Sequence, residues 1–289
     1  MLLFPSPRRR SASRNDASGA LLLRHCIAAL CLSLLVAPAA RAAQCGGDFH
    51  AFIDGMSQEA VNAGVSRAIA AKAFAGISPD KAVLAFDNRQ QGVFSKSFES
   101  YAAIAVTRRR VERGRQLLRK HGALLARIER EYGVPAPLIV AIWGLESNYG
   151  TADLGNLHVI RTLATLAHDC RRTDLFQGEL LAALQVVQRG DLSLAEMIGG
   201  YAGEMGQTQF LPSSYLKYGV DYDKDGHVNL RRSVPDVLAS TANYLKANGW
   251  QPGAPFGEGT ANFEVMRVWN QALLYRKAIV LLAEKIGQR

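Results

Sequence analysis

Pro137-Leu138-Ile139-Val140-Ala141-Ile142-Trp143-Gly144-Leu145-Glu146 begins on a proline, stays apolar for eight residues and ends on an acid. Proline suits the first turn of a helix, where its missing N–H has no partner to lose. A helix apolar on every side has no face for water, so other helices must surround it. Glu146 is thereby placed at the end of a buried helix. Apolar surroundings penalise its charge, and the carbonyl end of a helix repels a negative group. Both effects raise its pKa and suit it to hold a proton near neutral pH and give it to a leaving oxygen. The plainer alternative is a Glu whose head reaches solvent where the helix ends.

Outward from this stretch the pattern stays helical. Phe49 to Phe74 reads helical, and Ser78-Pro79-Asp80 opens a further helix with Ser78 as cap. Val111 to Ile128 reads as one amphipathic helix ended by Gly133, with Arg113, Arg115, Arg119, Lys120 and Arg127 mostly off the apolar face. Leu180 to Val187, Val234 to Ala247 and Phe263 to Ile286 also read as helices, and period-two alternation is nearly absent. The expected class is mainly α. Loops concentrate at 148–158, 188–212, 219–233 and 249–262, where binding residues usually sit.

The 289 residues, 48% of them hydrophobic, can bury a large core. Residues 1–42 differ from the rest: five Arg precede an apolar run from Cys26 to Ala37, and Ala40-Arg41-Ala42 follows. A basic flank, an apolar run short of the ~20 residues a span requires and small residues at −3 and −1 predict a secretory signal cut after Ala42. Its removal takes away six Arg and one Asp, so the formal net charge falls from +9 by 5 to +4. Mild positive charge suits a polyanionic partner, but no nucleic-acid motif is found, and nucleic acid is set aside. Of four Cys, Cys45 and Cys170 remain after export, an even pair that suggests one disulfide in an oxidising compartment, with two buried thiols as the alternative. Residues 43–289 are expected to divide into a helical N-terminal part, 43–133, and a catalytic core with C-terminal helices, 134–289.

Gly199 to Tyr215 mixes glycines with amides, hydroxyls and aromatics. Glycine admits close backbone approach, Gln and Ser pair with hydroxyls, and aromatic rings offer a flat face to a pyranose. A tight helix–loop junction is the alternative. Asp221-Tyr222-Asp223-Lys224-Asp225-Gly226-His227-Val228-Asn229 fits a calcium-loop pattern at positions 1, 3, 5, 6 and 7, making Asp221, Asp223, Asp225 and His227 candidate ligands. Arg232 stands at position 12, where a bidentate Glu is expected, and Asp236 is the candidate replacement. The alternative is an Asp-Gly turn held by its own side chains.

Together, Ala141-Ile142-Trp143-Gly144-Leu145-Glu146, Gly206-Gln207-Thr208-Gln209-Phe210-Leu211-Pro212-Ser213-Ser214-Tyr215 and Ala242-Asn243-Tyr244-Leu245 resemble the membrane-bound lytic murein transglycosylase B family, glycoside hydrolase family 103. The resemblance runs from about Cys45 to the end. It implies a lysozyme-like catalytic core with an additional helical domain and an EF-hand-like loop. It also implies cleavage of the β-1,4 bond between N-acetylmuramic acid and N-acetylglucosamine, with Glu146 as the single catalytic acid and 1,6-anhydro product ends. Gln209, Phe210 and Tyr244, with Asn270 and Tyr275 in Trp269-Asn270-Gln271-Ala272-Leu273-Leu274-Tyr275, match glycan-contacting positions. The chemistry needs no cofactor; a structural Ca²⁺ is expected in the Asp loop. The expected partner is the peptidoglycan glycan strand and the expected state a periplasmic monomer, with membrane association left open. Two other readings fit the same residues. One is a hydrolase of the same fold, in which Glu204 or another acid activates water. The other is a non-catalytic wall-binding or calcium-binding module, which would have no use for an acid in a dry pocket.

Overall fold

The computed structural model describes residues 43–89 and 97–288; the expected signal at 1–42 lies outside them. In chain order the helices are α1 (Phe49–Asn62), α2 (Arg67–Phe74), α3 (Lys81–Arg89), α4 (Phe98–Ala105), α5 (Arg108–Lys120), α6 (Gly122–Tyr132) and α7 (Ala136–Ser147). The two-residue strand β1 (Leu157–His158) precedes α8 (Val159–His168) and α9 (Thr173–Arg189). Strand β2 (Ile198–Gly199) then leads to α10 (Pro212–Tyr218), α11 (Val234–Ala247), α12 (Ala261–Val265) and α13 (Leu273–Gly287). The mainly α expectation holds. The one sheet among the described residues is β1 against β2, antiparallel, with Leu157 facing Gly199 and His158 facing Ile198.

Three expected helices are broken. Phe49–Phe74 divides into α1 and α2 because Ser66 caps a new helix, its hydroxyl accepting the Ile69 N–H at 3.3 Å. Val111–Ile128 divides at His121, whose backbone leaves helical geometry, although Gly133 does end α6 in the left-handed conformation. Phe263–Ile286 divides into α12 and α13, and Val268, Trp269 and Asn270 in the segment between them become part of a cleft wall. Ser78 is not the cap of α3: Asp80 takes that place, its Oδ1 accepting the N–H groups of Ala82 and Val83.

From Leu138 to Trp143, α7 is buried at every position. It is enclosed by α5, α6, α11 and α13, as an all-apolar helix requires. Each fully buried Leu or Ile of this stretch contributes roughly 1.5–3 kcal/mol relative to exposure. On the other side of the molecule α8 packs on α9, which also meets α1, α2 and α10. A single apolar cluster runs from Ala43 to Ile286 through both sets of helices. The first turn of α10 is tied to α9 by buried Glu179, which accepts the Ser213 N–H at 2.8 Å and its hydroxyl at 2.6 Å.

Cys45 and Cys170 form a disulfide, Cα atoms 5.2 Å apart, that joins the start of the described chain to the turn after α8. The Gly46 N–H donates to the His168 carbonyl at 2.9 Å beside it. The bridge closes a loop of sequence separation 125, the long-loop case in which a cross-link restrains the unfolded chain most. Thiol titration of the purified, unfolded and unreduced protein should therefore find no free thiol from this pair. Reduction should lower the unfolding free energy by roughly 2–5 kcal/mol in a denaturant titration.

Candidate active site

Glu146 lies in the last turn of α7, where Asn148 at φ 49° ends the helix in left-handed geometry. Its Oε1 accepts two hydrogen bonds, from the indole Nε1 of Trp269 at 2.7 Å and from the Tyr275 hydroxyl at 2.5 Å. The side chain keeps partial access to a cleft, while protein packs around its carboxyl. Burial raises its pKa and is the largest effect. The two hydrogen bonds oppose that rise, and the charge of Glu204 adds to it. Burial, then the neighbouring Glu146, pushes Tyr275 well above its ordinary value, so its hydroxyl stays a donor. Tyr101 of α4 is raised too, by burial first and by Glu146 second.

The cleft has a volume of about 460 Å³ and is lined by Glu146, Glu204, Thr208, Gln209, Ser214 and Asn270 with an aromatic and aliphatic wall. The wall is a cluster of rings: Phe210 lies 5.5 Å from Tyr244 and 5.4 Å from Trp269, and Tyr244 lies 5.1 Å from Trp269. The Tyr244 hydroxyl donates to the Val268 carbonyl at 2.7 Å, which fixes the ring. Such a wall presents flat apolar surface beside polar groups, the combination a sugar ring requires.

Residues 205–210 form a tight turn, with Met205 and Phe210 exchanging backbone hydrogen bonds at 2.8 and 3.0 Å. Within it Gln209 sits at φ 53° and its Nε2 donates to the Gly206 carbonyl at 2.8 Å. Gln207 turns the other way: its Oε1 accepts the Trp143 indole N–H at 2.8 Å, and its Nε2 donates to the Arg231 carbonyl at 2.9 Å. Gly150 leaves the space for this amide, since a Cβ there would stand 2.2 Å from the Gln207 Oε1. Among the described residues the buried Thr208 hydroxyl finds no hydrogen-bond partner.

Of the residues singled out in the sequence, Glu146, Gln209, Phe210, Tyr244 and Asn270 line the cleft together. Tyr275 stands behind Glu146 and bonds it. Trp269 was missed as a partner of the acid, although it lies in the same short motif as Asn270 and Tyr275. Glu204, which the sequence suggests only as the water-activating acid of a hydrolase, lines the cleft as well. Asp153, the other acid in the loops next to α7 that a hydrolase reading could use, is not in the cleft; it accepts the Gly155 N–H at 3.0 Å in its own turn.

Where the loop after α10 meets the first turn of α11, ligand oxygens of Asp221, Asp223 and Asp236 lie within 4.8 Å of one another. Asp236 is fully buried and receives N–H groups from Tyr222 at 2.8 Å and Asn229 at 2.8 Å. Burial raises its pKa, these bonds counter the rise, and the charge of Asp223 adds to it. Asp225 and His227 contribute no side-chain atom to this group; the Asp225 carboxylate accepts the His227 N–H at 2.9 Å. Arg232, at position 12, instead reaches Glu196 at 3.4 Å. Three converging hard oxygen donors suit a divalent cation such as Ca²⁺.

Residues 48–260 match the Transglycosylase SLT domain family. The chain belongs to this family. Over 149 residues, 51% of the chain, it is 38% identical to the membrane-bound lytic murein transglycosylase B of Escherichia coli, and the matched stretch spans 41% of that relative. In three dimensions this SLT-family chain is similar to SltB3 of Pseudomonas aeruginosa, crystallised with NAG-anhNAM-pentapeptide. The TM-score is 0.77 at 34% identity, covering 83% of this chain and 80% of the other. It is also similar to the lytic transglycosylase Slt35 of E. coli in complex with calcium, with TM-score 0.73 and 26% identity over 88% of this chain and 98% of the other. The α-rich, lysozyme-like architecture expected from the sequence is the one this SLT-family chain adopts.

Tyr275→Phe removes one donor to Glu146 and leaves burial in place, so the acid should become harder to ionise. Activity that requires protonated Glu146 should then persist to higher pH, and its maximum should fall by about tenfold as the carboxyl loses a positioning bond. A pH profile of kcat/KM for the variant against the wild type measures both effects.

Proposed function

We propose that the chain is a lytic murein transglycosylase that cleaves the β-1,4 bond between N-acetylmuramic acid and N-acetylglucosamine without using water. The observation carrying the reading is Glu146 itself: a carboxyl with raised pKa, held by Trp269 and Tyr275 at the edge of a cleft walled by Phe210, Tyr244 and Trp269. Glu146 gives its proton to the glycosidic oxygen, the bond from C1 to that oxygen breaks, and the leaving sugar departs with a new hydroxyl. The Glu146 carboxylate then takes the proton of the muramic C6 hydroxyl, whose oxygen bonds to C1. The product ends in a 1,6-anhydro ring, and the proton is back on Glu146. The anhydro sugar named in the SltB3 complex supports this outcome over hydrolysis. A hydrolase using Glu204 as base is the second reading, favoured by Glu204 lining the same cleft.

Gln209, Phe210, Tyr244 and Asn270 are assigned to glycan contact, and Tyr275 to both glycan contact and support of Glu146. Export with cleavage after Ala42 and action on glycan strands in the periplasm, as a monomer, complete the proposal. The disulfide supports an oxidising compartment, and among the described residues no helix is long and apolar enough to cross a membrane. Asp221, Asp223 and Asp236 are assigned as carboxylate ligands of a structural Ca²⁺, with Asp225 and the His227 carbonyl as the remaining candidates. The ion offsets their mutual repulsion and has no part in the chemistry.

Glu146→Gln keeps size and hydrogen bonding but cannot transfer a proton. Its turnover of purified peptidoglycan should fall by roughly 10²–10⁴-fold while sedimentation with sacculi is retained. Mass spectrometry of the wild-type products should find 1,6-anhydromuramic ends; a predominance of reducing ends would show that water is the nucleophile. For the metal, calcium at a hundredfold excess over its Kd should add about 2.7 kcal/mol, a rise in Tm of roughly 5–10 °C for a chain of this size. Asp223→Ala should remove that rise in differential scanning calorimetry with and without chelator.

A further inference from the structure

Glu204 has no part in the single-acid mechanism, yet it lines the same cleft as Glu146. Its placement is built. Oε2 accepts the Ala202 N–H at 2.9 Å, and the backbone N–H of Gly200 closes the same turn by donating to the Glu204 carbonyl at 2.9 Å. A Cβ at position 200 would stand 2.5 Å from its Oε2 and 3.5 Å from the Gln209 Oε1, so a side chain there would require the carboxylate to move. The acid and Gln209 therefore border one gap beside the Gly200 backbone. Among the described residues Glu204 takes part in none of the ion pairs, so none of their cations is bonded to its carboxylate.

We propose that Glu204 is a second working carboxylate of the cleft, held by its turn to present a negative charge to the bound glycan beside Glu146. The proposal rests on the glycan-cleaving reading and adds to it a residue with a separate duty. Breaking the bond to C1 leaves positive charge on the sugar ring. Glu146 is at that moment occupied with a proton, first as donor and then as acceptor, whereas Glu204 makes and breaks no bond. A preorganised charge aimed at developing charge of opposite sign acts without reorganisation. In the resting cleft the same charge also favours the protonated form of Glu146, the form the first step consumes. The groups that face Glu146 are Tyr275 and Trp269 around α13, Tyr101 of α4 and Glu204 from the turn, with Arg110 of α5 acting on both tyrosines. Among these only Glu204 brings a second negative charge.

Glu204→Gln separates the charge from the turn, because the amide oxygen still accepts the Ala202 N–H. With the mature protein and soluble glycan strands, kcat should fall roughly 10–100-fold with KM within about twofold. The upper-pH limb of kcat/KM should move to lower pH, since Glu146 loses its proton more easily, and the Tm should be unchanged. Glu204→Ala should show the same kinetic loss, with a lower Tm from the released turn. Wild-type kcat and an unmoved pH limb in Glu204→Gln would overturn the proposal and leave Glu204 as a turn-holding residue. Product analysis of the wild type keeps the two readings apart. Reducing ends, abolished in Glu204→Gln, would overturn the transglycosylase reading while leaving Glu204 a working carboxylate.

Discussion

The desolvation of α7 is the constraint on which the rest depends. A helix buried along its whole length from Leu138 to Trp143 can exist only if α5, α6, α11 and α13 close around it, and those four come from both halves of the chain. Their closure brings the C-terminal segment to the end of α7. There the segment delivers Trp269 and Tyr275 to the carboxyl of Glu146. The same packing that stabilises the core thus assembles the acid. A cavity opened in α7, as by Ile142→Ala, would be felt at the site as well as in the core, because interiors relax only partly around lost volume.

The site works by opposing effects of comparable kind. Burial drives Glu146 towards its protonated form, two donors on one oxygen pull it back, and a second carboxylate pushes in the same direction as burial. In the proposed mechanism the acid gives a proton and then recovers one, and such a balance serves both steps, since an extreme pKa in either direction disables one of them. The donors are themselves dependable. The indole N–H cannot ionise in this range, and Tyr275 is held far above its ordinary value.

Gln207 links the cleft to the acidic loop. Its side chain joins the Trp143 indole of α7 to the Arg231 carbonyl, and its backbone N–H donates to the Leu230 carbonyl at 2.8 Å. The residues just after the Asp loop are therefore bonded to the turn that carries Gln209 and Phe210. Asp236, buried at the first turn of α11, anchors the other side of that loop through the N–H groups of Tyr222, Asp223 and Asn229. A loop whose carboxylates repel one another is thereby fastened, at both ends, to elements that shape the cleft.

The sequence by itself determined the mainly α class, the burial of α7 and the position of an acid at its end, because these follow from local periodicity and residue chemistry. It also singled out Cys45 with Cys170 and the Asp loop, where a count and a spacing suffice. Helix breaks at Ser66, His121 and 266–272 escaped it, since an apolar period can continue across a cap or a bend that only hydrogen bonding reveals. Tertiary structure alone decided what Glu146 touches. Its donors lie 123 and 129 residues away, and Tyr275, read from the motif as a glycan contact, is bonded to the acid. It also decided that Asp236 joins Asp221 and Asp223 while the Asp225 side chain turns to the His227 N–H. The reason is the same in each case: hydrogen bonding, charge and desolvation act through distances in space, and a sequence fixes those distances only within a few residues.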